Sequence, residues 1–287
     1  MKSSTKKKVT VVNELRQKHK IDVLLEISGL SRSTYYYHFK RIEADKYITE
    51  KEEILRIFNA NKGRYGYRRI LLDLRDNGIA INHKTVLKLM QELGIKGKIR
   101  RSKYKSYKGE IGKVAPNVIK RNFEATKPFE KLTTDVTEFN INDTKVYLSP
   151  IMDLYNREII SYNISTSPNF CQTKDMLVGL FEKLPKGSNP ILHSDQGWQY
   201  QMKEYQRMLK QHNIIQSMSR KGNCLDNSPM ENFFGRLKVE MFFGEKFGSV
   251  DEFIHKLREY IDYHNNERRS LLLNGKSPVQ YRTLHNY

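Results

Sequence analysis

A chain of 287 residues with 38% hydrophobic residues is long enough for one large domain, or two to three small ones, each with a real core. No apolar run approaches the roughly eighteen residues of a membrane span, and "MKSSTKKKVTVVNELRQKHK" lacks the apolar stretch of a secretory leader, so composition points to an intracellular chain with no membrane partner. Cys171 and Cys224 form no CxxC pair, which argues against a zinc knuckle and a disulfide framework.

The formal charge of +19 is unevenly spread. Residues 1–128 carry 31 Lys and Arg against 13 Asp and Glu, a net +18; residues 129–287 carry 20 against 19, a net +1. A polycationic half joined to a balanced body suggests a polyanion-binding part attached to a part with another task, and nucleic acid is the obvious polyanion.

In chain order, residues 1–45 hold a first helix-turn-helix pattern. In "IDVLLEISGLSRSTYYYHFKR" a short apolar helix reaches a turn at Ser28 and Gly29, and Ser31 caps a second helix whose polar front carries Arg32 and Ser33 toward a DNA groove. Residues 46–95 hold a second. Ile70, Leu71 and Leu74 share one helical face, Asn77 and Gly78 break it, and Asn82 caps a helix with Val86, Leu87, Met90 and Leu93 inward. Arg64, Arg68 and Arg69 gather at its start, and Lys84 and Lys88 lie four apart on the later helix. All five are candidate DNA contacts. Residues 96–128 form a basic linker. Its "KGKIRRSKYKSYKG" includes Lys98, Arg100, Arg101, Lys103 and Lys105, contains no acid, and suits a segment ordered along a phosphate backbone.

Residues 129–246 change texture. "EKLTTDVTEFNIN" and "KVYLSPIMDLYNREIISYNIS" predict three antiparallel strands with a tight turn near Tyr155 to Arg157. A helix over 171–184, a buried strand in "PILHSD", a helix over 201–212, a strand in "IIQSMS" and a long helix over 229–246 follow. The order βββαβαβα is an α/β fold with helices packed on a mixed sheet, and residues 247–287 form a helical tail.

Three acids stand where acids are costly. Asp135 lies inside the first strand, Asp195 closes an apolar strand before "QGWQY", and Glu231 opens the last helix of the sheet domain. Each has an ordinary alternative: a backbone hydrogen bond, a turn cap, or a capping box running from Ser228 through Pro229 to Glu231. In this strand order the first and fourth strands can be neighbours, with the last helix across them. Three carboxylates then converge and repel unless a divalent cation joins them. Such a group suits phosphoryl transfer at two metals.

"TTDVTEF", "LHSDQGWQY" and "GNCLDNSPMENFFGRLKVE", with 35 residues between Asp195 and Glu231, resemble the DDE transposases with a retroviral-integrase-like core. More narrowly, the chain resembles the second reading-frame product of a copy-out, paste-in bacterial insertion-sequence family, a likeness that extends to "RYGYRRI", "GIAINHKTVLKLMQELGI" and "YHNNERRSLLLNGKSPVQYR". The resemblance implies an RNase H-like core in which Asp135, Asp195 and Glu231 are both catalytic residues and ligands of two Mg²⁺ ions, with Mn²⁺ able to substitute. It also implies end cleavage followed by strand transfer. It implies double-stranded DNA as partner, a homo-oligomer on DNA, an upstream-frame product of the same element, and a bacterial cytoplasmic, nucleoid-associated setting. The HHCC zinc module of retroviral integrases has no counterpart here.

At 100° per residue from Glu231, Phe233, Phe234, Leu237 and Met241 form a core face, Lys238 lies almost over Glu231 and is placed to meet a phosphate, and Glu240 lies opposite in a solvated or salt-bridged role. Asp226 is expected to order its loop. His193, on the same strand side as Asp195, is either a supporting hydrogen-bond partner or an ordinary satisfied histidine. Trp198 is expected to pack. Two rivals stay open: an RNase H-like nuclease that only hydrolyses, and a sequence-specific DNA-binding repressor.

Overall fold

The computed structural model describes residues 2–43, 46–98, 114–220 and 224–285; Arg100, Arg101, Lys103 and Lys105 of the basic linker lie outside them. The first helical unit contains α1 (Lys2–Leu15), α2 (Ile21–Ser28) and α3 (Arg32–Glu43) around Val9, Val12, Leu24, Leu25 and Tyr35. Gly29 adopts the left-handed conformation, φ 65°, that ends α2, and the Ser31 hydroxyl accepts the Thr34 amide at 3.1 Å. The turn and the cap thus lie where the sequence puts them. Helix α1 is an addition, because its apolar stripe amounts to two buried valines in a polar segment.

The second unit contains α4 (Ile48–Ala60), α5 (Tyr67–Asp76) and α6 (His83–Glu92). Asn82 accepts the Lys84 amide at 2.8 Å, and Gly78 and Gly94 both have positive φ. Leu87 is a correction: it stays exposed, and Leu89 is buried beside Val86 and Met90. Counting 100° per residue from Val86, Leu87 stands roughly 95° from the centre of the face made by Val86, Met90 and Leu93, and Leu89 roughly 65° from it on the other side.

The sheet has strands β1 (Lys131–Thr134), β2 (Thr137–Ile141), β3 (Thr144–Asp153), β4 (Ile159–Ser165), β5 (Ile191–Ser194) and β6 (Ile215–Met218). Where three antiparallel strands were expected there are four, because the first is split at Asp135 and Val136. Both halves pair with β3 in one register, Thr134 with Ile151 and Thr137 with Leu148. The gap therefore falls opposite Pro150 and Ser149, and Pro150 brings no N–H to a ladder. β4 flanks β3 on its other edge, β1 runs parallel to β5, and β5 parallel to β6. This is the mixed, RNase H-like sheet expected, with the first strand broken at its acid.

Helices α7 (Phe170–Phe181) and α8 (Lys203–Gln211) cover one face, over Leu132, Ile151 and Leu192. The other face packs on α9 (Ser228–Leu237), a single π-turn over Lys238–Phe242, and α10 (Val250–Asn266), through Phe139, Phe233, Leu237 and Phe253. The same apolar cluster runs on into α4–α6 through Ile54, Ile70 and Leu74. Helix α11 (Pro278–His285) closes the described chain against α10.

A buried ion pair lies at that junction. Arg268 donates to both Glu240 oxygens at 2.9 and 2.7 Å, the Tyr260 hydroxyl donates at 2.9 Å, and Arg69 approaches to 3.5 Å. Burial alone would raise the Glu240 pKa, but the Arg268 bonds outweigh it and hold the carboxyl at about 2. Of the two roles expected for Glu240, the salt-bridged one is found, in a buried setting. Glu240→Gln leaves Arg268 charged and unpaired, so it should cost about 3–5 kcal/mol of stability at pH 7 by urea unfolding. Because the native pKa is depressed, the stability Glu240 contributes is present above pH ~4.5 and lost as pH falls toward 2. The acid limb of the stability profile should flatten accordingly in the variant.

Candidate active site

The sheet register brings two of the three acids together. In the β1–β5 pair, Lys131, Leu132 and Thr133 stand beside Ile191, Leu192 and His193; continued two residues, the same offset sets Asp135 beside Asp195 on adjacent strands. Both lie just past the ends of their strands, where backbone amides are free of the ladder. The Val136 amide donates to Asp135 Oδ1 at 2.7 Å and the Gly197 amide to Asp195 Oδ1 at 2.9 Å. Burial raises the pKa of both. Asp195 and then Glu231 push Asp135 higher by repulsion, against the Val136 bond and the pull of Lys238. The three predicted acids and Lys238 therefore share one electrostatic site. Among the described residues, no three His, Cys, Asp or Glu side chains as they stand are gathered round a single ion position.

Helix α9 is tied to both acid-bearing strands just before Glu231. The Asn227 amide group donates to the Thr134 carbonyl at 3.0 Å and its oxygen accepts the Thr133 hydroxyl, which fastens the helix start to β1 beside Asp135. On β5, fully buried His193 joins Ser217 Oγ through Nδ1 and donates from Nε2 to the Asp226 carbonyl, both at 2.8 Å. Burial depresses the His193 pKa, which keeps the ring neutral. Of the two roles open for it, a fully partnered supporting histidine is the one present. Asp226 orders its loop as expected: its buried carboxylate takes the Arg220 amide and guanidinium at 3.0–3.1 Å, Arg121 at 2.7 Å and Asn117 at 3.2 Å. These bonds, led by Arg220, hold its pKa far below the usual range. The capping box is a correction. The N-cap is Asn227, not Ser228, and it makes no side-chain cap bond because its amide is spent on Thr133 and Thr134.

Comparison with known proteins matches residues 125–224 to an integrase core domain, 46–103 to an HTH-like domain, and 231–285 to a further integrase core domain description. The chain is 50% identical to the putative transposase InsK for insertion sequence element IS150 of Escherichia coli (strain K12), over 95% of this chain and 96% of that one. It belongs to the integrase-core transposases of insertion sequences. An uncharacterized transposase-like protein of Haemophilus influenzae is 54% identical over 71% of this chain and 94% of its own length. Among solved structures, the HTLV-2 integrase catalytic core domain in complex with magnesium aligns with 55% of this chain and 98% of its own at 17% identity, with a TM-score of 0.43.

The basic residues of this transposase have unequal surroundings. Arg64 stacks 4.5 Å from the Tyr263 ring and donates to the Glu240 carbonyl at 3.3 Å, and Arg69 faces the Glu240 carboxylate, so both serve the junction inside the chain. Lys98 reaches Glu245 at 3.0 Å across the same junction. Arg32 is paired with Asp22, Ser33 lies 3.1 Å from the Ser31 hydroxyl, Arg68 bonds the Tyr67 hydroxyl, and Lys88 stands 3.6 Å from Glu92; with Lys84 at the start of α6, these remain on the surface. Lys238 is half-buried over the Phe139 ring at 5.2 Å. Trp198, expected to pack, is 53% exposed just past Asp195, because the tight turn Trp198–Gln201 sends Tyr200 inward instead.

Asn227 is the residue that sequence reasoning missed. Its only signal is an amide side chain placed immediately before a Ser-Pro helix start. Asn227→Ala strands a buried hydroxyl and a buried carbonyl, and should cost about 1–3 kcal/mol of stability. Strand joining should fall at least about tenfold while affinity for end DNA is retained, as measured by thermal unfolding, a joining assay and a mobility-shift titration side by side.

Proposed function

We propose that this transposase binds the ends of its element and moves them by two phosphoryl transfers at Asp135, Asp195 and Glu231. The observation that carries this is the parallel β1–β5 register, which sets Asp135 beside Asp195 under the α9 start that holds Glu231. The donor set suits hard divalent cations: carboxylate oxygens, so buried and then so crowded by Asp195 that Asp135 resists ionising. These three residues would hold two Mg²⁺, or Mn²⁺ in their place, which when bound supply activation of the attacking oxygen and stabilisation of the leaving one.

In the first step water attacks a phosphodiester at the element end and a 3′-hydroxyl leaves. In the second, that hydroxyl attacks a phosphodiester of another DNA, with one P–O bond formed and one broken each time and no covalent protein intermediate. Lys238 neutralises a phosphate oxygen beside the acids, while Asn227 and His193 keep the α9 start on the two strands. Surface residues of the helical units, Arg32, Ser33, Arg68, Lys84 and Lys88, with the basic linker, hold double-stranded DNA along its backbone. The chain acts in the bacterial cytoplasm as a homo-oligomer on DNA, together with an upstream-frame product of its element.

The test incubates the chain with labelled end DNA and Mg²⁺, beside Asp195→Asn and Glu231→Gln. Cleavage and joining should fall roughly a thousandfold in both variants, the scale of several kcal/mol of lost metal-assisted stabilisation. Equal cleavage by all three proteins would overturn the assignment, and cleavage without joining would leave a nuclease.

A further inference from the structure

On the side of α9 turned away from Glu231 lies a cavity of about 170 Å³ whose lining includes Arg157, Arg236, Arg268, His264, Asn232 and Leu272. Asn232 and Arg236 stand roughly 100° and 140° round the helix from Glu231, so this space is separate from the carboxylate site. Three guanidinium groups face it, and only Arg268 is in a direct ion pair, with Glu240; Asp153 attracts Arg157, and Glu240 attracts Arg236, from farther off. Among the described residues, neither Arg157 nor Arg236 has a carboxylate within 4.0 Å. Arg157 Nη1 and Arg236 Nε are moreover buried without a hydrogen-bond partner. An unpaired buried donor is costly, and more so on a cation.

The surroundings keep these cations in place. Arg157 sits at φ 64°, a left-handed conformation that favours glycine, in the hairpin between β3 and β4. Its carbonyl accepts His264 Nε2–H at 3.0 Å. Burial drives the His264 pKa down to about 3, so the ring is a neutral wall and not a further charge. Burial, then the neighbouring Arg268, lowers the Arg236 pKa to about 10. Two arginines from different elements, with donors unused, match the several oxygens of a tetrahedral dianion.

We propose that this cavity is a phosphate-binding site, filled by Arg157 and Arg236 pairing with one phosphate group, either a backbone phosphate of DNA or free inorganic phosphate. The site requires no metal and is independent of the acids that do the chemistry. It adds a phosphate contact on the opposite side of α9 from the reacting one.

The test follows thermal unfolding of the full chain in metal-free buffer, with inorganic phosphate or chloride at matched ionic strength. Wild type is run beside Arg157→Met, Arg236→Met and the surface control Lys186→Met, at an exposed lysine with no part in the DNA-binding residues. At ten times its Kd, phosphate should raise the wild-type Tm by about 3 °C more than chloride does. Lys186→Met should keep this increment, and both cavity variants should lose it. In phosphate-free buffer those two variants should unfold at or above the wild-type temperature, because each removes a buried charge without a partner. No phosphate-specific increment in the wild type, or the same increment in all four proteins, would overturn the site. A second arm separates the sources. If DNA supplies the phosphate, the salt dependence of duplex binding by Arg236→Met should weaken by about one unit of slope; if free phosphate does, the slope should be unchanged.

Discussion

The constraint on which the structure depends is the burial of carboxylates, Asp135 also repelled by its neighbours, at the ends of two adjacent central strands. Asp135 and Asp195 stand side by side because β1 and β5 are parallel in that register, and burial makes each reluctant to ionise. An uncompensated buried acid costs stability at neutral pH, a cost that the divalent cations proposed above would offset. The sheet, the strand break opposite Pro150 and the doubly tied start of α9 all serve to hold these residues in place against that cost.

What holds the frame lies on the other side of α9. Glu240 and Arg268 form a buried pair that Tyr260 and Arg69 complete, and the second helical unit docks there through Arg64, with Arg269 bridging Asp73 and Asp76 at 2.6 Å each. One apolar cluster continues from the sheet through α9 and α10 into α4–α6. The helical unit and the sheet that carries the acids are thus joined by a continuous core.

Much of this was legible from residue order alone. Local signals carried it: Gly29 and Ser31 make the first turn, Asn82 caps α6, and the strand and helix order brings the strands of Asp135 and Asp195 together. Several misses share one cause, partners that arrive from far along the chain. Glu240 is buried because Arg268 covers it, Arg64 and Arg69 turn inward because Tyr263 and Glu240 await them, and Asn227 displaces Ser228 as cap because Thr133 and Thr134 lie beneath it. The split of the first strand follows from Pro150, on a neighbouring strand. Periodicity cannot see such contacts; it distinguished only the faces.

The central claim is that Asp135 is held in place against repulsion that a divalent cation relieves, and its most direct test is thermal unfolding of the wild type and Asp135→Asn at pH 8, in chelator and then in Mg²⁺. An acid whose native pKa is raised contributes stability below its unfolded pKa near 4 and loses it as pH climbs, so at pH 8 the charged form is a burden on the metal-free fold. The account predicts that Asp135→Asn unfolds at a higher temperature than the wild type in chelator, and that Mg²⁺ stabilises only the wild type. A variant less stable than the wild type in chelator, or one stabilised equally by Mg²⁺, would contradict it.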